Sequence, residues 1–246
     1  MLNSISFIYR LAKIAIHNPR DLRHVFDTAN AVAHEISDPE ADIRSIPAVS
    51  ISNIPGGGGG RFAFQTFPGV KASITLQEAA ALAALCRSVN AKRIFEFGTY
   101  KGVSTTQFAL NLPEDGIVFT LDLPEGHPAY SLAITKEGER VIAAEGGKGV
   151  LVPADCRSKV TFLKCDSAVF DTSPYLNSMD LVFVDGAHSY DYVKNDTGKG
   201  LEMLRDNGVI AWHDCIPSHP DVVAFVKKCG RRVHRVLGTS LAFAIQ

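Results

Sequence analysis

Several signatures of common protein classes are missing from this sequence of 246 residues. Its five cysteines form no CxxC pair and no metal-finger spacing, which argues against a disulfide framework and a structural zinc site. We interpret them as reduced thiols in a cytoplasmic protein. The chain has no dense run of Lys and Arg, and its formal net charge is −1. Without a basic field or patch, no nucleic-acid partner is expected.

A stretch long enough to span a bilayer is also missing. The apolar residues 5–16 are too few, and Arg10 and Lys13 interrupt them. They predict a helix that packs on the core or on a second copy of the chain, with attachment to a membrane surface as the alternative. Helical spacing returns over residues 20–36. We therefore predict that residues 1–72 form an N-terminal helical extension that ends in a glycine-rich loop and could mediate homo-oligomerisation.

The dinucleotide fingerprint G-x-G-x-x-G and the phosphate-binding motif G-x-x-x-x-G-K-[ST] are absent as well. Residues 93–105 offer instead an apolar run with Glu96 near its end, a loop bracketed by Gly98 and Gly102, and a helical restart at Ser104. This pattern predicts a strand, a tight turn and a helix N-terminus, where glycine allows close approach and free N–H groups attract a carboxylate. We interpret it as a nucleotide-type cofactor loop whose glycine spacing disfavours NAD and ATP.

The remaining pattern alternates strands with helices. It predicts an α/β fold with a parallel sheet, helices on both faces and a terminal antiparallel hairpin at residues 233–245. Thr75 and Glu78 have the spacing of a capping box, which predicts a helix start. Ligands of such sheets bind at the carboxyl ends of the strands. Four acids stand at predicted strand ends: Asp122, Asp166, Asp185 and Asp214.

Two segments have no clear period. The loop at residues 56–67 contains five consecutive glycines followed by Arg61 and phenylalanines, and it is either a flexible linker or a mobile lid. We predict that residues 123–159 form a long crossover connection between two strands, with a helix at about 131–142. Together with the N-terminal helices, these segments are where we expect substrate specificity to lie.

An ordered set of motifs covers roughly residue 75 to the C-terminus: Glu96-x-Gly98-x-x-x-Gly102, Asp122, Asp166-Ser167, the block 185–190 with Asp196, and His213-Asp214. This set resembles the class I S-adenosylmethionine-dependent methyltransferases, most closely their small bacterial O-methyltransferase-like branch. The resemblance implies a Rossmann-like, doubly wound, seven-stranded and mostly parallel sheet in a domain at residues 73–246. It also implies the following cofactor-binding residues: Glu96, Gly98, Thr99, Gly102, Ser104, Asp122, Asp166, Ser167 and Asp185.

The same resemblance implies that the metal ligands and the catalytic base lie at the ends of two neighbouring strands. Metal-using relatives hold Mg²⁺ there, which maps onto Asp185 and Asp214; the departures are His213 where some relatives have Glu and Cys215 where others have Asn. Methyl transfer requires that the acceptor hydroxyl lose its proton, and His188 is the candidate general base. The alternative is that His188 caps the following helix.

The functional prediction is the S-adenosylmethionine-dependent O-methylation of a small hydroxylated molecule, either with Mg²⁺ as a second cofactor or without a metal ion. The alternative is a Rossmann-like protein that binds a small molecule without catalysis or with different chemistry. A nucleotide-sugar or NAD-binding protein is disfavoured because the middle glycine of the fingerprint is missing.

Overall fold

A computed structural model of the chain describes residues 42–55, 60–126, 130–134 and 146–246. The predicted N-terminal helices, most of the glycine run and residues 135–142 of the predicted crossover helix lie outside the described residues. The division at residue 72 stays a prediction. In the described part of the chain, no helix is both long and apolar enough to cross a membrane.

The described residues form one sheet of eight strands in the order β1-β7-β8-β6-β5-β2-β3-β4. β8 is antiparallel to both of its neighbours, and the other paired strands are parallel. The strands are β1 (Ala48–Val49), β2 (Arg93–Phe97), β3 (Ile117–Asp122), β4 (Val160–Lys164), β5 (Met179–Val184), β6 (Leu204–Trp212), β7 (His234–Val236) and β8 (Ala242–Ile245).

The predicted fold class, a mostly parallel sheet with a C-terminal antiparallel hairpin, is confirmed. The sheet has one strand more than the seven expected, because β1 pairs with β7 at the edge. A strand of two residues is too short to show an alternating pattern, so no periodicity in the sequence reveals it.

Four α-helices cover the sheet within the described ranges: α1 (Leu76–Ser88), α2 (Val103–Asn111), α3 (Tyr190–Met203) and α4 (Pro220–Lys228). The predicted capping box at the start of α1 is confirmed. Thr75 Oγ1 accepts a hydrogen bond from the Glu78 N–H at 3.2 Å, and Glu78 Oε2 accepts one from the Thr75 N–H at 2.7 Å. The capping box thus pairs two of the N–H groups at this helix end.

The central strand β5 is buried on both faces, and its side chains alternate between two cores. Leu181 and Phe183 belong to the core that includes residues of α1 and α2, whereas Val182 and Val184 belong to the core that includes residues of α3 and α4. This alternation with a period of two is what places helices on both sides of a parallel sheet.

β6 begins earlier than the sequence pattern indicates. The pattern predicts a helix to about Arg205 and a strand from Val209, but α3 ends at Met203 and Leu204 already pairs with Met179. The register then shifts, so that Val209 pairs with Leu181. The sequence also predicts a turn at Asn207. In the structure this residue has a φ of 61° and lies at the irregularity within β6.

Backbone hydrogen bonds continue beyond the strand ends and hold the candidate site residues in register. The Gly98 N–H donates to the Leu121 carbonyl at 2.8 Å, and the Asp185 N–H donates to the Phe97 carbonyl at 2.8 Å. The His213 N–H donates to the Val184 carbonyl at 3.1 Å. The ends of β2, β3, β5 and β6 thus form one continuous rim.

Candidate active site

The loop between β2 and α2 requires glycine at both of its ends. Gly98 has a φ of 97°, and a Cβ atom there would lie 2.0 Å from the carbonyl oxygen of Asp185. Gly102 has a φ of 87°, and a Cβ there would lie 2.6 Å from Val152 Cγ2. Any larger residue would meet both steric overlap and an unfavourable backbone conformation. The glycines therefore let the loop pack directly on the end of β5 and on the segment at residues 149–152.

Glu96 anchors this loop from below. It is fully buried on β2, and its carboxylate accepts hydrogen bonds from the hydroxyls of Ser104 at 2.5 Å, Thr105 at 2.5 Å and Thr120 at 2.6 Å. Burial raises the pKa of Glu96 to about 7, although the three hydroxyl groups oppose that shift. Glu96 thus joins β2, α2 and β3 beneath the cofactor loop.

Asp122, at the end of β3, holds the loop from the side. Its Oδ2 accepts the N–H groups of Thr99 at 3.1 Å and Tyr100 at 2.7 Å. Its Oδ1 accepts the Leu123 N–H at 2.7 Å and lies 3.2 Å from Lys148 Nζ. A ribose hydroxyl would have to replace one of these four donors. Three of them are backbone N–H groups, and the fourth is the side chain of Lys148.

Asp166 lies beyond β4 with its carboxylate held in place. Oδ2 accepts the Ser131 N–H at 2.8 Å, Oδ1 accepts the Ala168 N–H at 2.9 Å, and the Tyr192 hydroxyl lies 3.1 Å from both oxygens. Burial opposes ionisation, but these hydrogen bonds outweigh it and lower the pKa of Asp166. Asp166 is therefore a fixed anionic acceptor.

Two clefts open on this rim. The first cleft contains the ends of β3 and β4, and its lining residues include Asp122, Lys148, Asp166, Ser167, Tyr192 and Asp196. The second cleft, with a volume of about 420 Å³, lies at the N-terminus of α2, and its lining residues include Ser73, Thr99, Ser104, His213, Asp214 and His219. Both are lined by Gly98, Tyr100, Asp185, Gly186 and His188. The clefts therefore share a wall.

His188 belongs to that shared wall and contacts the end of β6. Its Nε2 lies 3.0 Å from Asp214 Oδ2, and its ring is 4.6 Å from the ring of His219. Asp214 has a φ of 53°, an unusual value for a residue other than glycine, and its N–H donates to Ser240 Oγ at 3.3 Å. The strained backbone of Asp214 thus lies next to the candidate base.

His213 lies between three carboxylates. Its Nδ1 is 3.0 Å from Asp185 Oδ1 and 3.3 Å from Asp214 Oδ2, and its Nε2 is 3.4 Å from Glu78 Oε2. The ring is about nine-tenths buried, and neither nitrogen has a hydrogen-bond partner of good geometry among the described residues. Burial disfavours the imidazolium, but the attraction of the surrounding carboxylates outweighs burial and raises the pKa of His213 well above its ordinary value.

The pKa values of the acids around His213 are shifted in opposite directions. Burial raises the pKa of Asp185 despite the nearby His213. Asp214 is also buried, but its contacts with His188 and His213 lower its pKa well below the ordinary value. Burial likewise opposes the ionisation of Glu78, whereas His213 and Ser240 lower its pKa to about 2. The contacts with His188, His213 and Ser240 therefore favour the ionised forms of Asp214 and Glu78.

The sequence that forms this site matches a known protein family. Residues 95–215, which contain the cofactor loop and the β5 and β6 strand ends, match the family model described as "Methyltransferase domain". These residues, just under half of the chain, are thus similar to a methyltransferase domain. The matched residues include most of the predicted motif positions, from Glu96 to Asp214.

Individual relatives agree with that assignment. A caffeoyl-CoA O-methyltransferase of Medicago sativa is 26% identical over 145 residues, which are 57% of this chain and 53% of that protein. Caffeoyl-CoA O-methyltransferase 1 of Arabidopsis thaliana is 28% identical over 142 residues, covering 56% and 50%. The chain thus spans about half the length of these curated relatives. The crystal structure of cofactor-bound Rv0187 from MTB shares the fold, with a TM-score of 0.52 and 18% identity over 93% of this chain and 97% of that one.

The methyltransferase domain brings most of the predicted site residues together. Gly98, Asp122, Asp166, Ser167 and Asp185 line the first cleft, and Thr99 and Ser104 line the second. Glu96 and Gly102 are not among the residues that line either described cleft: Glu96 is buried beneath the loop, and Gly102 packs close to Gly149. The roles of all nine as cofactor ligands stay proposals.

The predicted metal ligands Asp185 and Asp214 also lie together, but with an imidazole between them. A metal ion next to both carboxylates would contact His213 Nδ1, since this atom and one oxygen of each acid lie within 4.8 Å of one another. Mg²⁺ prefers an octahedral shell of oxygen atoms. The donor set of this domain therefore does not fit Mg²⁺.

Sequence reasoning missed four residues of the domain's site: Glu78, Lys148, Tyr192 and His219. Glu78 was visible only as part of a capping box, which explains its position without its contact to His213. Lys148 follows a segment without periodicity, and Tyr192 looks like an ordinary core residue of α3. His219 precedes Pro220 at the start of α4, and its spacing from His213 matches no ligand motif.

Proposed function

We propose that this domain transfers a methyl group from S-adenosylmethionine to a hydroxyl group of a small molecule. The observation that carries the proposal is the position of His188 on the wall shared by the two clefts, with Nε2 at 3.0 Å from an ionised Asp214. A base at this boundary can act on an acceptor in one cleft and face a cofactor in the other.

The residues of the first cleft suit the adenosine end of the cofactor. Asp166 is a fixed anionic acceptor, and Asp122 can accept ribose hydroxyls when Lys148 moves aside. The amino-acid end would lie at the start of α2, where Gly102 provides no capping side chain. The N–H groups of that first turn then favour a carboxylate. The rest of the second cleft is left for the acceptor.

S-adenosylmethionine, when bound, supplies a methyl group on a positively charged sulfur. The acceptor oxygen would form a bond to the methyl carbon while the carbon–sulfur bond breaks. The electron pair of the broken bond would stay on sulfur. His188 takes the hydroxyl proton, and Asp214 stabilises the imidazolium that forms.

Methyl transfer to a panel of phenols and catechols, followed with S-adenosylmethionine labelled in its methyl group, tests this proposal. His188→Ala should slow transfer by about 10²- to 10⁴-fold while leaving cofactor binding intact. His234→Ala, on β7 outside both clefts, is the matched control and should keep the full rate.

Unchanged transfer by His188→Ala would show that His188 is not the base. Loss of cofactor affinity in this variant would show that the residue is structural. Cofactor binding without transfer to any panel member would favour the alternative function, a small-molecule-binding protein of the same fold.

A further inference from the structure

The cluster around His213 has the arrangement of a metal site built partly from nitrogen. Asp185 Oδ1, His213 Nδ1 and Asp214 Oδ2 come from the adjacent ends of β5 and β6 and converge on one point. His213 is nine-tenths buried, and its Nδ1 has no hydrogen-bond partner of good geometry among the described residues. A buried ring nitrogen aimed between two carboxylates calls for a further partner.

The spacing of these atoms suits a shared cation. Nδ1 of His213 lies 3.0 Å from one carboxylate oxygen and 3.3 Å from the other. Ligands about 2.1 Å from a metal ion lie about 3.0 Å apart in an octahedral shell and about 3.4 Å apart in a tetrahedral one. Both observed distances fall in this interval, and all three donor atoms lie within 4.8 Å of one another.

The other nitrogen of His213 lies close to a carboxylate, although not in good hydrogen-bond geometry. Its Nε2 faces Glu78 Oε2 at 3.4 Å, and Glu78 is itself fixed, because its Oε1 accepts the Ser240 N–H at 2.8 Å and the Ser240 hydroxyl at 2.7 Å. A carboxylate behind a ligating imidazole selects its tautomer and increases its basicity. Glu78 is therefore placed as a positioning residue for His213.

The donor types decide which cation is favoured. Carboxylate and carbonyl oxygens suit Mg²⁺, whereas imidazole suits Zn²⁺ and neighbouring first-row transition metals. Three protein donors leave a coordination position open, as in catalytic zinc sites. That open position adjoins the second cleft, which Asp185, His213 and Asp214 all line.

We propose that Asp185, His213 and Asp214 bind one divalent transition-metal ion of the zinc type in preference to Mg²⁺. The inference concerns the site of the proposed methyl transfer, but it rests on the donor atoms and not on that reaction. Metal affinity is measured without S-adenosylmethionine, so failure of one proposal is distinguishable from failure of the other.

Calorimetric titration of chelator-treated protein with Zn²⁺, and separately with Mg²⁺, tests the assignment. We expect one Zn²⁺ per chain and an affinity for Mg²⁺ at least about tenfold weaker. His213→Gln should weaken Zn²⁺ binding by more than about tenfold and remove the preference over Mg²⁺. His234→Gln and Cys229→Ser, a histidine and a half-buried thiol outside the cluster, should bind Zn²⁺ as the parent protein does.

Glu78→Gln supplies a second test that does not depend on the folding of the His213 variant. Glutamine serves as well as glutamate at this position of a capping box, so α1 should be retained. The loss of the carboxylate behind His213 should still weaken Zn²⁺ binding by about 10- to 100-fold. Equal affinity for Mg²⁺ and Zn²⁺, no binding of Zn²⁺, or unchanged Zn²⁺ affinity in both His213→Gln and Glu78→Gln would overturn the assignment.

Discussion

Replacing Glu96 by glutamine should change how the stability of the protein depends on pH. Glu96 is fully buried, and among the described residues its carboxylate accepts hydrogen bonds from three hydroxyl groups. No cation is among the causes that set its pKa, which burial raises to about 7. The folded protein therefore holds a proton on this carboxyl at pH values where the unfolded chain has lost it.

The sign and size of the effect follow from these two pKa values. Below about pH 4.5 the carboxyl is protonated in both states; between there and about pH 7 it ionises only in the unfolded chain, which favours unfolding. At about 1.4 kcal/mol for each pH unit, the free energy of unfolding should fall by about 3 kcal/mol over this interval. Above about pH 7 Glu96 is ionised in both states and contributes no further slope.

Urea unfolding of the parent protein and Glu96→Gln between about pH 4 and pH 8 measures this contribution as a difference between the two. The parent should lose about 3 kcal/mol relative to the variant as the pH rises. Glu78→Gln is the control of opposite sign: the pKa of Glu78 is lowered to about 2, so between about pH 4 and pH 5 the parent should gain stability relative to this variant. A flat or rising difference for Glu96→Gln would show that the hydroxyl groups outweigh burial.

Two further substitutions test the loop. Gly98→Ala should lower the free energy of unfolding by about 2 kcal/mol or more, because its Cβ would meet the Asp185 carbonyl at 2.0 Å; in Gly69→Ala, where φ is 82° but no atom lies within 4 Å, only the backbone cost of about 1 kcal/mol should appear in the same urea experiment. Asp122→Asn should weaken S-adenosylhomocysteine binding in a calorimetric titration by about tenfold, since the ribose loses a charged acceptor. Equal stability losses in the two glycine variants, or unchanged affinity in Asp122→Asn, would contradict the proposed loop geometry.

The main features of the fold could be predicted because they depend on local pattern. The strand at residues 179–184 is apolar apart from Asp180, and the Thr75 and Glu78 spacing marks the start of α1. Once the strands are parallel, the residues that follow them share one edge of the sheet. For that reason Asp122, Asp166, Asp185 and Asp214 could be placed at one rim without any structure.

The partners of those side chains could not be predicted in the same way. The sequence shows that an acid follows β3, but not that both oxygens of Asp122 already accept N–H groups of two loops. Nor does it show that hydroxyls of α2 and β3 close over Glu96. These contacts depend on side-chain direction at a packed interface, which residue spacing does not determine.

Glu78 illustrates the same limit over a longer distance. Its capping role involves a residue three positions away, whereas its bond to Ser240 spans 162 positions and is made by the turn between β7 and β8. Only the antiparallel return of β8 beside β6 brings that turn to the start of α1. The donor set around His213 therefore emerges from topology and not from a motif.

Calorimetric titration of the protein with S-adenosylhomocysteine tests the central claim most directly, because the proposed function requires the two clefts to hold this product and its parent cofactor. The account predicts one binding site per chain, retained in His188→Ala and weakened in Asp122→Asn. Absence of binding to the parent protein would contradict the account.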